Sequence, residues 1–309
     1  MKKNNPNLQH ILVIGSSNTD MVIKAEHLPR PGETVLGGTF FMNPGGKGAN
    51  QAVASARLEG NVAFICKTGN DIFGHQSKQL FEEEGIDTSC MFSDSTHPSG
   101  VALITVDSKG ENCIAVASGS NANLTPADIS TVREAIEKAD IILMQLEIPI
   151  DTVKQVADIA RKLNKKVILN PAPAKALDSE LLQSLYLITP NETEAEMISG
   201  IKITDDETLH SCARAIHDKG VQSVIITLGS KGAFLYNQFF REYIPGYKVN
   251  AVDTTAAGDV FNGALTVAVS EGHDLVEAIR FANKAAAISV TRVGAQASAP
   301  YRHEVDIFV

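Results

Sequence analysis

Two hydrophobic periodicities run through this chain. From residue 126 onward, short all-apolar runs alternate with stretches whose apolar residues recur every three or four positions, the pattern of parallel strands covered by helices. After the helix-start signal Thr125-Pro126, the residues Ile129, Val132 and Ile136 make one helical stripe. There follow the strand Ile141–Gln145, a helix with Val153, Val156, Ala157 and Ala160 on one face, and the strand Lys166–Leu169. The alternation continues through Tyr186–Thr189, a helix carrying Leu209, Cys212, Ala213 and Ile216, and the strand Ser223–Leu228. Past Gly232 the period becomes two, and Ala233–Tyr236 with Arg241–Ile244 predicts a hairpin. Two helices complete the pattern. Gly258–Ser270 is apolar almost all round, which means burial on several sides, and Leu275 to about Val290 is rich in alanine.

The N-terminal third is less regular. The strand Ile11–Ile14 precedes β segments at Met21–Ala25 and Thr34–Phe41, split by the turn-forming Pro29-Arg30-Pro31-Gly32. Further on, Val101–Val106 and Asn112–Val116 flank the hairpin loop Asp107–Gly110. These strands stand outside the βα alternation and predict a small separate sheet built from two insertions into the larger unit.

Composition narrows the class. The 309 residues are 44% hydrophobic and 20% charged, which excludes disorder and fibre and suits a large α/β unit. Lys and Arg number 27 against 36 Asp and Glu, a net charge of −9, with no basic stripe for nucleic acid. The longest apolar runs are strand-length, short of the ~20 residues a membrane span needs. Lys2 and Lys3 imitate a signal-peptide start, but the apolar stretch behind them ends at Gly15-Ser16. Cys66, Cys90, Cys113 and Cys212 stand far apart without a Cys-x-x-Cys pair, so neither a zinc knuckle nor a disulfide framework is expected. Cys212 falls in an apolar helix stripe and is expected in the core. A soluble protein of a reducing cytoplasm fits these features.

Several segments carry candidate chemistry. Gly45-Gly46-Lys47-Gly48-Ala49-Asn50 opens a helix whose inner face is Ala49, Ala52, Val53 and Ala56, so its first N–H groups can bind an anion or a hydroxyl, and its glycines can admit a ligand closely. It is not a P-loop, because Phe41 and Gly48 stand where that pattern needs Gly and Ser or Thr. Asp253-Thr254-Thr255-Ala256-Ala257-Gly258-Asp259 leads small side chains into the most buried helix expected. Its N–H groups suit an oxyanion or a transferring phosphoryl group, and Asp259 at the rim can take the proton of an attacking hydroxyl. Capping by Asp253 and a dipole-complementing Asp259 would explain the same residues. Asn191-Glu192-Thr193-Glu194 follows a strand and matches a capping box; Asn191 and Glu194 could equally help to hold hydrated Mg²⁺ and ATP phosphates. Thr227-Leu228-Gly229-Ser230-Lys231-Gly232 ends a strand as a nucleotide contact or a tight turn. Asn18 and Asp20, placed at the end of the first strand, and Glu147, after Ile141–Gln145, join Lys47 and Asn50 as a donor and acceptor set suited to sugar hydroxyls.

In order along roughly residues 11 to 303, the motif Gly45–Asn50 continuing as Gln51-Ala52-Val53-Ala54, the segment Asn170-Pro171-Ala172-Pro173-Ala174, Asn191–Glu194, and Asp253–Asp259 with Val260-Phe261-Asn262-Gly263-Ala264 resemble the ribokinase family, within the phosphofructokinase-B type of sugar kinases. The resemblance implies one ribokinase-like α/β unit over 1–309, a three-layer sandwich with a mostly parallel central sheet. It further implies a small β-sheet lid from insertions at about 20–44 and 99–117, through which two subunits pair as a homodimer. The activity implied is ATP-dependent phosphorylation of D-ribose at its primary hydroxyl, with Mg²⁺ accompanying ATP and activation by K⁺. Asp259 would be the base, and Ala256, Ala257 and Gly258 the anion hole. Sugar contacts would fall on Asn18, Asp20, Gly46, Lys47, Gly48, Ala49, Asn50, Glu147 and Asp259. ATP contacts would fall on Asn191, Glu194, Thr227, Gly229, Ser230, Lys231, Gly232, Gly258 and Asn283. The K⁺ ligands would come from Asp253 and Ser298 and from carbonyls of Thr255, Ser289, Arg292 and Gly294.

This sequence has Ala256 where the broader motif often has Gly, which is expected to keep the backbone out of positive φ there. Asn283 stands where family members vary. A related sugar such as 2-deoxyribose is the nearest alternative substrate. A sugar-phosphate kinase would want arginines near the lid, where Arg30 and Arg57 are isolated, and a nucleoside kinase would want an aromatic surface, where 6% aromatics and no tryptophan offer little. A non-catalytic sensor would be expected to have lost Asp259.

Overall fold

The computed structural model describes residues 9–309; the Lys2-Lys3 start lies outside them. In chain order the strands are β1 His10–Ile14, β2 Asn18–Lys24, β3 Thr39–Gly45, β4 Asn61–Ile65, β5 Lys67–Gly69, β6 Phe92–Asp94, β7 Gly100–Val106, β8 Asn112–Ala117, β9 Ile141–Met144, β10 Lys166–Leu169, β11 Leu187–Ile188, β12 Ser223–Thr227, β13 Gly232–Asn237 and β14 Arg241–Pro245. The helices are α1 Lys47–Arg57, α2 Ile72–Glu83, α3 Pro126–Thr131, α4 Arg133–Lys138, α5 Ile150–Lys162, α6 Ser179–Gln183, α7 Glu192–Ser199, α8 Asp206–His217, α9 Ala257–Ser270, α10 Leu275–Ser289 and α11 Arg302–Asp306.

Eight strands form one sheet in the order β14-β13-β12-β11-β10-β9-β1-β4. Pairing is parallel from β4 to β12, and the hairpin β13–β14 adds an antiparallel edge. Because side chains alternate across a strand, Ile11 and Val13 of β1 pack with α1, α9 and α10, while Leu12 and Ile14 pack with α3, α5 and α8. The result is a three-layer α/β sandwich. Burying each such side chain contributes about 1.5–3 kcal/mol, so a strand like β1 is anchored from both faces. β1 pairs β4 on one side and β9 on the other, so the winding reverses there, and open α/β sheets collect ligands beyond the carboxyl ends of such strands.

A second sheet, in the order β3-β2-β7-β8, stands apart from the first. The segment expected at Thr34–Phe41 is displaced to Thr39–Gly45, because Glu33 N–H closes a turn onto the Arg30 carbonyl and pairing with β2 begins only at Thr39. Pro44 is tolerated inside β3 because that strand is an edge. Asn18 and Asp20 belong to β2 of this sheet rather than to the end of the first strand. The stripe Ile129-Val132-Ile136 is two short helices, broken at Val132 (φ −114°, ψ 23°). Ser130 and Thr131 hydroxyls donate back to the carbonyls of Pro126 and Asp128, which competes with helix continuation.

In α9 every residue from Asp259 to Ser270 is buried. It crosses α1 closely, since a Cβ on Gly263 would stand 2.8 Å from the Ala54 Cβ. That close crossing brings Asn50 and Gln51 of α1 against Asp259.

Candidate active site

The start of α1 is built by close packing of backbone. Gly46 caps the helix at φ 90°, a conformation that favours glycine. A Cβ at Gly45 would stand 2.3 Å from Asp20 Oδ2, and one at Gly46 2.7 Å from the Asn18 nitrogen. The Cβ positions of these glycines are thus closed by β2, whose backbone packs directly against the helix start. The first N–H groups of the helix are also taken: Lys47 N–H donates to Glu147 Oε2 (3.0 Å), Gly48 N–H to Ser16 Oγ (3.3 Å) and Ala49 N–H to the Ser16 carbonyl (2.9 Å). Ser16 Oγ itself donates to Glu147 Oε2 (2.5 Å). The anion expected at this helix start is therefore supplied by the chain's own Glu147.

The start of α9 is different. Ala256 precedes it in the left-handed region (φ 59°, ψ 12°), contrary to the expectation that alanine would exclude positive φ. Such a residue is strained by about 1–2 kcal/mol and persists where its surroundings fix it; the Val260 N–H on its carbonyl and the Ala257 N–H on the Thr254 carbonyl hold the turn. Beyond that turn, the Gly258 and Asp259 N–H groups meet no acceptor among the described residues, and a Cβ placed on Gly258 would find nothing within 4 Å. Two donors at the positive end of a helix are thus left without an acceptor from the described residues.

Asp259 is 5% exposed. Its Oδ2 accepts from Asn50 Nδ2 (2.9 Å) and its Oδ1 from Gln51 Nε2 (2.9 Å). Burial pushes its pKa above the ordinary carboxylate value, against the pull of Lys47 and the two amides. Burial also raises Asp20, with Glu147 and Asp259 adding to it, to about 6. For Lys47, burial works against the charge, but Asp259, Glu147, Glu194 and Asp20 together outweigh it and raise the pKa. Lys47 is therefore a charged ammonium held among carboxylates. Asn50 Oδ1 is buried without a donor, an acceptor that a sugar hydroxyl would satisfy.

The nucleotide candidates converge at the ends of β11 and β12. Asn191 and Glu194 form the capping box, Asn191 Oδ1 accepting from Glu194 N–H (2.8 Å) and Glu194 Oε2 from Asn191 N–H (2.9 Å). Burial raises the Glu194 pKa, offset in part by the Asn191 N–H and Lys47. Asn191 bridges to Thr227, whose N–H donates to the Pro190 carbonyl (2.9 Å). The Thr227–Gly232 segment is a short 3₁₀ turn over Gly229–Lys231. Asn283 Nδ2 donates to the Pro245 carbonyl (3.2 Å), and Gly246 N–H to the Lys231 carbonyl (2.9 Å), so Asn283 and that turn border the same corner.

Asp253 and the loop 290–298 come together as well. Asp253 Oδ1 accepts from Thr255 N–H and Oδ2 from Gly294 N–H (both 2.9 Å). Burial pushes its pKa up, but these hydrogen bonds outweigh it, so the group is held below its ordinary value. No Lys or Arg pairs with it among the described residues. Its carboxylate is thus favoured in the ionised form, held by two backbone N–H groups, with the more distant charge of Lys24 adding to the pull. Ser298 is fully buried, its hydroxyl donating to the Ala295 carbonyl (2.8 Å) with lone pairs to spare, whereas Ser289 Oγ donates to the Ala286 carbonyl. The Arg292 guanidinium is turned away onto Glu304. Among the described residues no cluster of three His, Cys, Asp or Glu forms a separate metal centre.

Sequence reasoning missed Ser16, Gln51 and Asn121. Asn121 holds the Asn18 side chain (Nδ2 to Oδ1, 2.8 Å) and the Ser17 N–H. Arg57 is consumed by Glu84 and by the Gln296 and Ala299 carbonyls, so it is not available for a sugar phosphate.

The model of the pfkB family of carbohydrate kinases matches residues 8–302. A ribokinase of Haemophilus influenzae is 46% identical over 294 residues, covering 95% of this chain and 96% of that protein. A deoxyribokinase of Salmonella typhimurium is 37% identical over 291 residues, 94% of this chain and 95% of the relative. The structure of an Arabidopsis thaliana ribokinase complexed with ribose and ATP superposes with a TM-score of 0.88 at 33% identity, over 96% of this chain and 97% of the other. The helix start left open above Asp259 thus lies in a chain that belongs to the pfkB family of carbohydrate kinases.

Proposed function

We propose that this protein transfers the γ-phosphoryl group of ATP to the primary 5-hydroxyl of D-ribose, giving ribose 5-phosphate and ADP. The observation that carries this reading is the buried Asp259 carboxylate, gripped by two amides, beside the unpartnered Gly258 and Asp259 N–H groups. Asn18, Asp20, Lys47, Asn50 and Glu147 bind the sugar hydroxyls, with Gly46, Gly48 and Ala49 as its backbone floor. Asp259 accepts the hydroxyl proton as the sugar oxygen bonds to the γ-phosphorus and the bond to ADP breaks. Ala256, Ala257 and Gly258 shape the turn whose N–H groups stabilise the transferring phosphoryl group. Burial favours the neutral acid, so Asp259 holds the proton it takes more firmly than an exposed aspartate would.

ATP lies along Asn191, Thr227, Gly229, Ser230, Lys231, Gly232, Gly258 and Asn283. Asn191 and Glu194 hold the water shell of its Mg²⁺; Asp253, Ser298 and the carbonyls of Thr255, Ser289, Arg292 and Gly294 hold K⁺. When bound, the two ions compensate charge on the phosphates and on the turn before α9.

The unit is single, with insertions at about 20–44 and 99–117 forming a lid. Ile23, Phe40, Met42 and Leu103, each 45–57% exposed and on one face of the second sheet, pair the lids of two subunits. An apolar face of this kind is a partner surface. Four unpaired thiols and a chain without a membrane-length apolar helix among the described residues accord with the cytoplasm.

The test is ADP release with Mg²⁺ and ATP on ribose, 2-deoxyribose, fructose, adenosine and fructose 6-phosphate, each in K⁺ and in Na⁺. Ribose leading with a K⁺-dependent rate is the expected result. Another acceptor leading would keep phosphoryl transfer but overturn the ribose assignment of the pocket, and silence throughout would contradict the enzyme reading.

A further inference from the structure

A circuit of buried side-chain hydrogen bonds runs beneath this site. Gln51, fully buried, donates through Nε2 both to Asp259 Oδ1 (2.9 Å) and to Asn170 Oδ1 (3.0 Å), while its Oε1 accepts from Gln145 Nε2 (2.6 Å). Asn170 Nδ2 donates to the Thr189 carbonyl (3.2 Å), and Thr189 Oγ1 donates to Asn262 Oδ1 (2.6 Å). Asn262 Nδ2 then donates to the Gly258 carbonyl (2.8 Å). That carbonyl belongs to the same peptide as the Asp259 N–H, so the circuit returns to the residue where it began.

The orientation of each amide follows from its partners. An ionised carboxylate and a backbone carbonyl only accept, so the nitrogen ends of Gln51, Asn170 and Asn262 must face Asp259, Thr189 and Gly258. Both hydrogens of Gln51 Nε2 are committed to the protein. Asn50, which grips the other carboxylate oxygen, keeps a buried Oδ1 free of any donor. The two neighbours on α1 thus divide the work: Asn50 can reach substrate, and Gln51 cannot without breaking the circuit. With one amide on each oxygen, the carboxylate plane cannot turn about its Cβ–Cγ bond without losing a hydrogen bond in a water-poor setting, where that bond is stronger than in solution.

We propose that Gln51, Asn170, Thr189 and Asn262 form a positioning network that sets the Asp259 carboxylate and the Gly258–Asp259 peptide as one rigid unit, aligning the base with the N–H groups that face the phosphoryl group. This rests on Asp259 acting as the base. Its basis is geometric: the circuit joins α1, the ends of β10 and β11, and α9, and no member of it other than Asp259 needs to touch substrate. It also accounts for Asn170 and Asn262, which the sequence motifs contain and the binding roles leave unused.

The experiment measures single-turnover phosphoryl transfer and ribose binding for the wild-type protein, Gln51→Met, Thr189→Val, the double variant and Asp259→Asn. Gln51→Met is expected to slow transfer about 30- to 100-fold, the scale of a reacting group misplaced by about 1 Å, with ribose affinity within about threefold. Thr189→Val removes only a hydroxyl at constant volume and is expected to slow transfer several-fold without changing affinity. The double variant should lose less than the product of the two single losses, as for members of one circuit. Loss of a donor to the charged carboxylate should also move the acid limb of the transfer rate of Gln51→Met to higher pH, which a loss of packing alone would not do. Transfer by Gln51→Met within twofold of wild type, or a defect confined to ribose affinity, would overturn the proposal. If Gln51→Met does not fold, Thr189→Val decides, and an unchanged rate there overturns it. An active Asp259→Asn would sink the base assignment instead; an inactive Asp259→Asn beside a full-rate Gln51→Met would sink the network alone.

Discussion

The two glycine-bearing helix starts of this chain, at α1 and at α9, lie one side chain apart, joined by the hydrogen bond from Asn50 to Asp259. Both present N–H groups at the positive end of a helix. At α1 the chain fills that end itself, with Glu147 and Ser16. At α9 it leaves the Gly258 and Asp259 N–H groups without partners and keeps the space above Gly258 clear. The difference separates architecture from chemistry: a helix end closed by an internal carboxylate is fixed in place, and one left open has capacity for an incoming anion.

The comparison can be broken most severely at the open end. Gly258→Ala puts a methyl group where nothing stands within 4 Å, so the free protein should be unharmed and even slightly more stable, alanine being the better helix former by about 1 kcal/mol at most. Phosphoryl transfer should nevertheless fall about 10- to 100-fold, because the methyl enters the space the phosphoryl group needs. Melting curves and steady-state rates on the same preparation check both halves.

At the closed end, Glu147→Gln exchanges a charged acceptor for a neutral one under Ser16 and Lys47. It should cost about 1–2 kcal/mol of stability and weaken ribose binding, with the ATP KM unchanged. Denaturant unfolding and titration with ribose measure it.

Asp20, between the two ends, reports their shared cost. Its folded pKa of about 6 lies above the unfolded value of 3.8, so the folded state binds the extra proton and stability falls as pH rises from about 4 to about 6. Asp20→Asn should therefore raise stability at pH 8 by at most about 3 kcal/mol, a gain that shrinks toward pH 4, while ribose binding drops. Thermal melts at the two pH values would show the gain shrink, and a gain independent of pH would refute it.

The smallest effect concerns the turn before the open end. Ala256→Gly should relieve left-handed strain and gain about 0.5–1 kcal/mol net of the greater freedom of glycine in the unfolded chain, with little change in rate.

What the sequence revealed follows the same division. The regular βα alternation after residue 126 was legible because both faces of the sheet are covered, so strands read as apolar runs and helices as stripes. The strand Asn61–Ile65 and the helix Ile72–Glu83 were not: α2 buries only Gly74 and Phe81, which leaves no stripe to read. Val132 continued a stripe in sequence, but hydroxyl groups before it end the helix. At the site, Asp259 and Asn50 stood out because their chemistry and their motif agree. Gln51, Gln145 and Ser16 did not, because a polar residue in a sequence reads as surface until its partners, 94 to 208 positions away, are brought to it. Nor could residue type tell that the α1 end is filled from Glu147 or that Ala256 is held at positive φ.

In the proposed reaction Asp259 accepts the sugar's proton beside an open anion site. The most direct test of that step is the single-turnover rate of phosphoryl transfer from ATP to ribose by Asp259→Asn, with ribose affinity measured on the same protein. Transfer should fall at least about 10³-fold, with affinity changed no more than a few-fold. A rate within tenfold of the wild type, with ribose still bound, would contradict it.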